Sequence, residues 1–181
     1  MKVTSTDLAG LLILEPDVFT DARGSFFESY NLRDMDKAIG CETRFVQDNH
    51  STSARHVLRG LHYQIGRPQG KLVRVVSGEI FDVAVDLRMS SPTFGRWNAV
   101  TLSAENRKQV WIPEGFAHGF LVLSDGADVI YKTTDYYAPA SERTIRWDDP
   151  ALGIVWPMSG EPVLSAKDAA GLAMADAECF D

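Results

Sequence analysis

One histidine in this chain has neighbours that make chemistry plausible. His62 lies in the strand-like run Val57-Leu-Arg-Gly-Leu-His-Tyr-Gln64, close to an arginine and a glycine. Further along, the turn Pro113-Glu-Gly-Phe-Ala-His118 suggests a small β-barrel whose mouth His62 could line. A histidine at the mouth of a barrel acts as a metal ligand or as a proton carrier, because imidazole does both near neutral pH.

The metal alternative depends on further ligands. The turn that ends at His118 resembles the second cupin motif, in which a strand carries a histidine inward. A metal-binding cupin would also need an earlier His-x-His pair and a downstream glutamate, whereas the corresponding positions here are His62 and Gln64. Two imidazoles and an amide are a poor ligand set for Zn, Fe or Mn. We therefore expect a cupin-like barrel without a metal.

As a proton carrier, His62 has suitable surroundings. The pKa of an unperturbed imidazole is about 6.5, which suits proton abstraction if a carboxylate orients the ring. The simpler alternative is a buried histidine that bonds a backbone carbonyl. Polar residues on or beside β-segments favour a ligand cavity over an apolar core; they are Gln47, Asp48, Asn49, His50, Arg59, Lys71 and Tyr131.

Arg59 and His62 have opposite parity along their strand, so both can face one cavity only if the strand bulges. Gly60 lies between them, at the position where a bulge costs least. The sequence therefore predicts a β-bulge at Gly60.

Composition limits the classes of function. The chain has 181 residues, of which 45% are hydrophobic and 24% charged, as in an ordinary soluble domain. Its net charge of −7 argues against a nucleic-acid partner. Cys41 and Cys179 form no CxxC pair, which fits a reducing compartment. No apolar stretch approaches the ~18 residues of a membrane span, and the chain starts without a secretory segment, so we expect no membrane partner and a cytoplasmic location.

The pattern of apolar residues predicts an all-β protein, a sandwich or barrel with a few short helices. Strands are predicted at 11–14, 25–30, 71–76, 79–88, 97–102, 109–112, 119–123 and 129–134. The arms 71–76 and 79–88 are predicted to form a hairpin around Ser77-Gly78. Short helices are predicted at 31–39, capped by Asn31, and at 165–174, capped by Ser165 with Asp168 at N3. We expect a single domain over 1–181, with a short acidic tail after about residue 171.

Long blocks of the sequence resemble the dTDP-4-dehydrorhamnose 3,5-epimerase family. They include Phe45-Val-Gln-Asp-Asn-His-Ser51, Leu58-Arg-Gly-Leu-His-Tyr-Gln64, Gly70-Lys-Leu-Val-Arg74, Trp111-Ile-Pro-Glu-Gly-Phe-Ala-His-Gly-Phe120, Tyr131-Lys-Thr-Thr-Asp-Tyr-Tyr137 and Arg143-Thr-Ile-Arg-Trp-Asp-Asp-Pro150. The resemblance runs from about residue 8 to Gly171. It implies a cupin-like jelly roll that epimerises a dTDP-linked 4-keto-6-deoxyhexose at C3 and C5 without a cofactor.

The implied reaction explains the residue types. The C4 ketone acidifies the protons on C3 and C5, and each centre inverts through an enolate. This requires a base, an acid on the opposite face and a cation near the C4 oxygen. The resemblance implies His62 as the base, Tyr131 as the acid, Asp168 as the carboxylate that orients His62, and Lys71 as the cation.

The resemblance also implies the substrate contacts. Arg23 and Arg59 would bind the diphosphate, and Phe26 and Tyr137 would stack on thymine. The other implied contacts are Glu28, Gln47, Asp48, Asn49, Lys71, His118, Glu142 and Lys167. Family members are dimers in which N-terminal strands cross to the partner, so Arg23, Phe26 and Glu28 would serve the neighbouring site.

Several alternatives stay open. Tyr131 could be a barrel-wall aromatic, Lys71 a surface lysine, and Asp168 a partner of a helix dipole. The chain could invert only one centre, C3 or C5, since the substrate-binding motifs would be the same. Less expected are a metal-dependent cupin oxygenase or isomerase and a sugar-nucleotide-binding module without chemistry.

Overall fold

Short β-forming runs separated by turn residues become thirteen strands in the computed structural model, which describes residues 1–181. In chain order they are β1 (Lys2–Ser5), β2 (Leu12–Glu15), β3 (Val18–Asp21), β4 (Gly24–Phe27), β5 (Gln47–Ala54), β6 (Leu58–Gln64), β7 (Lys71–Ser77), β8 (Glu79–Asp86), β9 (Trp97–Ser103), β10 (Gln109–Ile112), β11 (Phe116–Val122), β12 (Gly126–Thr133) and β13 (Glu142–Thr144). The helices are α1 (Leu32–Ile39) and α2 (Ala166–Ala169), with 3₁₀ turns at Pro139–Ser141 and Met174–Asp176.

The strands form two large antiparallel sheets and one separate ribbon. The six-stranded sheet has the order β1-β2-β10-β7-β12-β5, and the five-stranded sheet has the order β13-β6-β11-β8-β9. β3 and β4 pair only with each other. The main core lies between the large sheets, where Val73 and Val129 of one sheet cluster with Ile80 and Phe120 of the other. The predicted all-β sandwich is therefore confirmed.

The predicted hairpin at residues 71–88 is wrong. β7 belongs to the six-stranded sheet and β8 to the five-stranded sheet, so the chain changes sheets at Gly78. Side chains alternate along β8: Val83 and Val85 pack in the outer cluster, and Ala84 faces the main core. Alternation shows which face of a strand is buried. It does not reveal whether the preceding strand pairs with it in the same sheet or lies in the opposite sheet.

The first predicted helix is confirmed, and the second is too long. The Asn31 side chain accepts a hydrogen bond from the amide of Arg33, and Gly40 ends α1 in the left-handed region. Ser165 caps α2 by accepting from the amide of Asp168, but α2 ends at Ala169. The chain then leaves the helix because Leu172 pairs with Ile145.

The acidic tail is packed against the domain. Ala177 and Phe180 contact the outer cluster of the five-stranded sheet. The backbone of Phe180 exchanges hydrogen bonds with Leu87 and Met89 at 3.0 and 2.7 Å. No helix in the structure has the length and apolar character required to cross a membrane.

The predicted bulge at Gly60 is confirmed. His62 faces His118 across the β6–β11 ladder, whereas Arg59 faces Phe120. Gly60 and Leu61 therefore lie opposite the single residue Gly119. The bulge turns both Arg59 and His62 toward one cavity, while Leu61 is fully buried on the other face of the sheet.

Alanine at Gly60 is expected to destabilise the protein more than alanine at another left-handed glycine. Gly60 has φ +128°, and an added Cβ would lie 2.5 Å from Cα of Gly119. We expect Gly60→Ala to lower the free energy of unfolding by about 3 kcal/mol or more, through backbone strain plus the steric clash. Urea unfolding monitored by circular dichroism measures this loss.

Gly66→Ala is the matched control, because Gly66 has φ +75° but no atom within 4 Å of an added Cβ. Its expected loss is about 1 kcal/mol, from conformation alone. Equal losses in the two variants would show that the close approach to Gly119 is unimportant.

Candidate active site

A cavity of about 340 Å³ opens between the two large sheets. Ten of the predicted site residues line it: Gln47, Asn49, Arg59, His62, Lys71, His118, Tyr131, Tyr137, Glu142 and Lys167. Five further residues line it: Gln64, which stands at the position of a cupin metal ligand, and Ser51, Tyr63, Gln69 and Phe120, which no sequence motif marked as site residues.

One wall of the cavity comes from β5, which is polar on both faces. Gln47, Asn49 and Ser51 alternate inward. Asp48 points outward and accepts hydrogen bonds from Lys132 at 2.9 and 3.0 Å, so, unlike its neighbours Gln47 and Asn49, it does not line this cavity. The period of two along a strand explains this result, because three consecutive residues cannot all face one side.

Ser51 stands out among the residues that the sequence analysis missed. Its Oγ is the one buried side-chain polar atom without a hydrogen-bond partner. A buried hydroxyl without a partner is costly, and its place in the cavity wall makes a bound ligand or water its natural partner. The alternation of β5 was the available signal, since it groups Ser51 with Gln47 and Asn49.

His62 and Asp168 form a tight pair at the base of the cavity. Nε2 of His62 lies 2.6 Å from Oδ1 of Asp168. The same carboxylate accepts hydrogen bonds from Oγ of Ser165 at 2.6 Å and from the amide of Gly60 at 3.2 Å. Asp168 is 3% exposed and does not line the cavity, so it contacts His62 from behind.

The pKa values of the pair follow from burial and hydrogen bonding. Burial alone would raise the pKa of Asp168, but hydrogen bonds from His62, Ser165 and Gly60 outweigh it and lower the pKa from 3.8 to about 2. Burial lowers the pKa of His62 below 6.5, and the opposing hydrogen bond to Asp168 does not compensate fully. His62 is therefore neutral at neutral pH. With its Nε2 proton donated to Asp168, its Nδ1 is free to accept a proton.

Lys71 supplies a buried cation beside this pair. Its Nζ donates to the carbonyl oxygen of His62 at 3.1 Å, and the residue is 7% exposed. Burial lowers the pKa of Lys71 to about 8, although Asp82 and Glu142 oppose that shift. The ammonium group is thus mostly protonated at neutral pH, in a site where water screens it little.

Tyr131 occupies the opposite wall from His62. It lies on β12 in the six-stranded sheet, whereas His62 lies on β6 in the five-stranded sheet, and both line the same cavity. Burial raises the pKa of Tyr131, with Arg59 and Lys167 opposing. Its phenol therefore remains protonated at neutral pH and faces the cavity as a proton donor.

A second histidine–carboxylate pair lies beside the first. Nε2 of His118 is 2.8 Å from Oδ2 of Asp82, and both residues are buried. His118 is the cross-strand neighbour of His62. No group of three or more His, Cys, Asp or Glu side chains is arranged to hold a metal ion.

The mouth of the cavity carries a connected polar network. Lys167 donates to Glu142 at 2.7 Å, and the hydroxyl of Tyr137 donates to the same carboxylate at 3.0 Å. The amide of Tyr137 donates to Gln47 at 3.0 Å. Gln64, which occupies the position of a cupin metal ligand, instead accepts from the amide of Ala138 and donates to the carbonyl of Tyr136. This network holds the Tyr137 loop over the cavity.

Three predicted contacts lie outside this cavity. Arg23, Phe26 and Glu28 belong to or follow the β3–β4 ribbon, and none of them lines it. Arg23 pairs with Asp21 at 2.6 Å, and Phe26 is 71% exposed. Within one chain, these residues therefore have no role in the site.

Comparison with known proteins gives consistent results. Residues 5–176 match the family model described as dTDP-4-dehydrorhamnose 3,5-epimerase. The chain is 60% identical over 180 residues to a dTDP-4-dehydrorhamnose 3,5-epimerase of Pseudomonas aeruginosa, with 99% of each chain covered.

Solved structures agree with this match. The crystal structure of a dTDP-6-deoxy-D-glucose-3,5-epimerase from Legionella pneumophila, in complex with dTDP-4-keto-L-rhamnose, superposes with a TM-score of 0.95 at 51% identity, covering 98% of this chain and 94% of that one. A 3'-monoepimerase from Streptomyces bikiniensis, ChmJ in complex with dTDP-quinovose, superposes with a TM-score of 0.88 at 37% identity, covering 94% and 86%.

Replacing Asp168 with asparagine should remove a pH-dependent part of the stability. A carboxylate whose pKa falls from 3.8 to about 2 on folding stabilises the fold above pH 3.8, and this stabilisation is lost as the pH falls through about 2. At neutral pH we expect Asp168→Asn to cost roughly 2 kcal/mol, with a gap to the parent protein that closes on acidification. Urea titrations at a series of pH values measure the gap.

Asp125→Asn is the control. Asp125 is a 98% exposed acid in a surface ion pair with Arg55, and such pairs contribute little. A gap for Asp168→Asn that stays constant with pH would contradict the depressed pKa.

Proposed function

The chain belongs to the dTDP-4-dehydrorhamnose 3,5-epimerase family, and on that premise we infer that it converts dTDP-4-dehydro-6-deoxy-D-glucose to dTDP-4-dehydro-L-rhamnose. The observation that carries this conclusion is one cavity with a neutral imidazole on one wall and a phenol on the other. A base and an acid on opposite faces of a bound sugar are what inversion at carbon requires.

In the proposed first step, Nδ1 of His62 takes the proton from the carbon next to the C4 ketone. The electron pair of the C–H bond becomes the enolate, with negative charge on the C4 oxygen. Asp168 stabilises the imidazolium that forms, because it is already ionised and bonded to the other ring nitrogen. The role parallels that of a carboxylate which orients a catalytic histidine.

Lys71 is proposed to stabilise the enolate oxygen. Its ammonium group is buried next to His62, so its charge acts through a medium of low dielectric constant. A fixed cation that meets charge developing in the transition state is among the largest contributions to catalysis. The ammonium needs no rearrangement if the carbonyl of His62 already holds it in place.

In the second step, the Tyr131 hydroxyl gives its proton to the opposite face of the same carbon. This leaves an imidazolium at His62 and a phenolate at Tyr131. Before the second carbon can invert, the proton must return from His62 to Tyr131, through solvent or through polar groups of the cavity. Arg59 would stabilise the transient phenolate, since its charge opposes the rise that burial produces in the pKa of Tyr131.

Inversion at both centres is favoured over inversion at one. The identity to the Pseudomonas 3,5-epimerase is 60%, compared with 37% to the Streptomyces 3'-monoepimerase. Proton transfer next to a ketone needs only a base, an acid and a cation, so we propose that neither a metal nor a redox cofactor takes part. We also propose a cytoplasmic location, since both cysteines are free.

Arg59 is proposed to bind the diphosphate, and Tyr137 to stack on the thymine ring. Ser53 holds Nε of Arg59 at 2.9 Å, which leaves guanidinium N–H groups for phosphate oxygens. Tyr137 is half exposed at the mouth of the cavity, with its backbone held by Gln47. Asn49, His118, Glu142 and Lys167 would bind the sugar hydroxyls and the remaining phosphate oxygens.

We propose that a homodimer completes the site through strand exchange. The β3–β4 ribbon pairs with no other strand of its own chain, and Phe19 and Phe26 are 65% and 71% exposed. Exposed aromatic residues on an unpaired ribbon are typical of an interaction surface. If the ribbon lies on the partner, Arg23, Phe26 and Glu28 can reach the partner's cavity.

Deuterium exchange tests the reaction. The parent protein, incubated in D₂O with dTDP-4-dehydro-6-deoxy-D-glucose, should incorporate deuterium at C3 and C5, as followed by NMR. His62→Asn should slow exchange at both carbons by about a hundredfold or more, because a positioned base contributes that much. Tyr131→Phe should retain exchange and lose inversion.

His50→Asn is the matched control. His50 is exposed and bonds Asp128 outside the cavity, so this variant should exchange normally. Label at only one carbon in the parent protein would identify a single-centre epimerase. Normal exchange in His62→Asn would show that His62 is not the base.

Mixed dimers test strand exchange. His62→Asn and Arg23→Ala should each be nearly inactive, one through the base and the other through the diphosphate contact. When the two are unfolded together and refolded, hybrid dimers should regain about a quarter of the parent activity, because each hybrid has one site with both residues intact. Activity that stays at the level of the separate variants would show that Arg23 serves its own chain or no site.

A further inference from the structure

We propose that Gly171 is a positioning residue for the His62–Asp168 pair: the lack of a side chain at Gly171 lets the segment after α2 lie against the chain beyond β13, and this contact sets the position of Asp168. The inference rests on the proposed role of His62 and Asp168 in proton transfer. It gives the C-terminal segment, residues 171–181, a function in the site.

The segment is linked to β6 through one intervening strand. Leu61 and Ile145 exchange backbone hydrogen bonds at 3.1 and 3.0 Å, next to the pairing of His62 with Thr144. On the other side of this intervening strand, the amide of Leu172 donates a hydrogen bond to the carbonyl oxygen of Thr144 at 2.9 Å. Residues 171 and 172 are thus separated from the strand that carries His62 by one intervening strand.

Gly171 is the point of closest approach in this arrangement. An added Cβ would lie 2.7 Å from the amide nitrogen of Arg146, 2.8 Å from its Cα and 2.9 Å from the carbonyl carbon of Ile145. All three atoms are backbone, so no side-chain rotation can relieve the clash. Its φ lies outside the left-handed region, so packing space, and not backbone conformation, explains the glycine.

If Gly171 is displaced, the residues of α2 that precede it must shift, because the residues that follow it are anchored. Beyond Gly171, the segment is anchored where the amide of Met174 donates to Oδ2 of Asp149 at 2.8 Å, and again where Phe180 bonds Leu87 and Met89. Before Gly171, α2 is a single turn whose carbonyl at Asp168 accepts from the amide of Gly171 at 3.3 Å. A shift at residue 171 therefore moves Asp168 relative to His62.

The test compares Gly171→Ala with the parent protein in two independent measurements. The chain has four histidines, so ¹³C labelling at Cε1 gives four signals, and His62→Asn identifies that of His62. Because the bond to Asp168 raises the pKa of His62, a longer bond should move the His62 titration to lower pH. The acid limb of kcat/KM should move with it, and kcat should fall about tenfold to a hundredfold with little change in KM.

Two controls distinguish positioning from general damage. His118, bonded to Asp82, is the internal control, and the chemical shift of its ¹³C signal at neutral pH should be the same in the variant and the parent protein. Leu172→Ala is the matched variant, because the Leu172 side chain is 51% exposed and its backbone hydrogen bonds are retained. It should keep the parent kcat and the parent His62 titration.

A milder second variant covers the case in which Gly171→Ala does not fold. Met174→Pro removes the amide that donates to Asp149, at the first position of a 3₁₀ turn that follows an extended residue, where proline is tolerated. It should move the His62 titration in the same direction by a smaller amount.

An unchanged His62 titration in a folded Gly171→Ala or Met174→Pro variant would overturn the inference, whatever happens to activity. A moved titration with unchanged kcat would support the positioning by Gly171 and would instead overturn the catalytic role of the pair.

Discussion

The ionised carboxylate of Asp168 is buried, and its burial organises this end of the molecule. An isolated buried charge would be neutralised by a shift of its pKa, yet here the pKa is lowered to about 2. Hydrogen bonds from His62, Ser165 and Gly60 make the difference. Each comes from a separate feature of the fold: the strand β6, the cap of α2 and the bulge. If one of these features moved, the ionised carboxylate would lose one of the hydrogen bonds that stabilise it.

The two-sheet architecture meets a second requirement, which is to place an acid and a base on opposite walls of one cavity. A single sheet places neighbouring side chains side by side on the same face, as with His62 and His118. In the proposed reaction, a proton donor on the far face of the sugar ring has to come from the facing sheet. Tyr131 on β12 meets this condition because β12 lies in the six-stranded sheet, across the cavity from β6.

Sequence patterns predicted the apolar strands, the bulge at Gly60 and both helix caps, because each depends on local steric or hydrogen-bonding rules. They did not predict the sheet change at Gly78 or the pairing of Leu172 with Ile145. Both depend on contacts between residues distant along the chain. Family resemblance implied the other candidate site residues, and among those on β5 the strand period turns Asp48 away from the cavity.

One of the strands that periodicity missed, β5, forms a wall of the cavity. β5 reads Gln-Asp-Asn-His-Ser-Thr-Ser-Ala, with one face toward the cavity and one toward solvent, so no apolar alternation marks it. A strand without an apolar face has a weakly specified register. Here specific polar contacts supplement the backbone ladder: Arg59 bonds Ser53, and the amide of Tyr137 bonds Gln47. The polar residues that suit β5 to a polar substrate are thus the same residues that remove the apolar alternation from its sequence. This is why the strand that lines the cavity is hard to predict from the sequence.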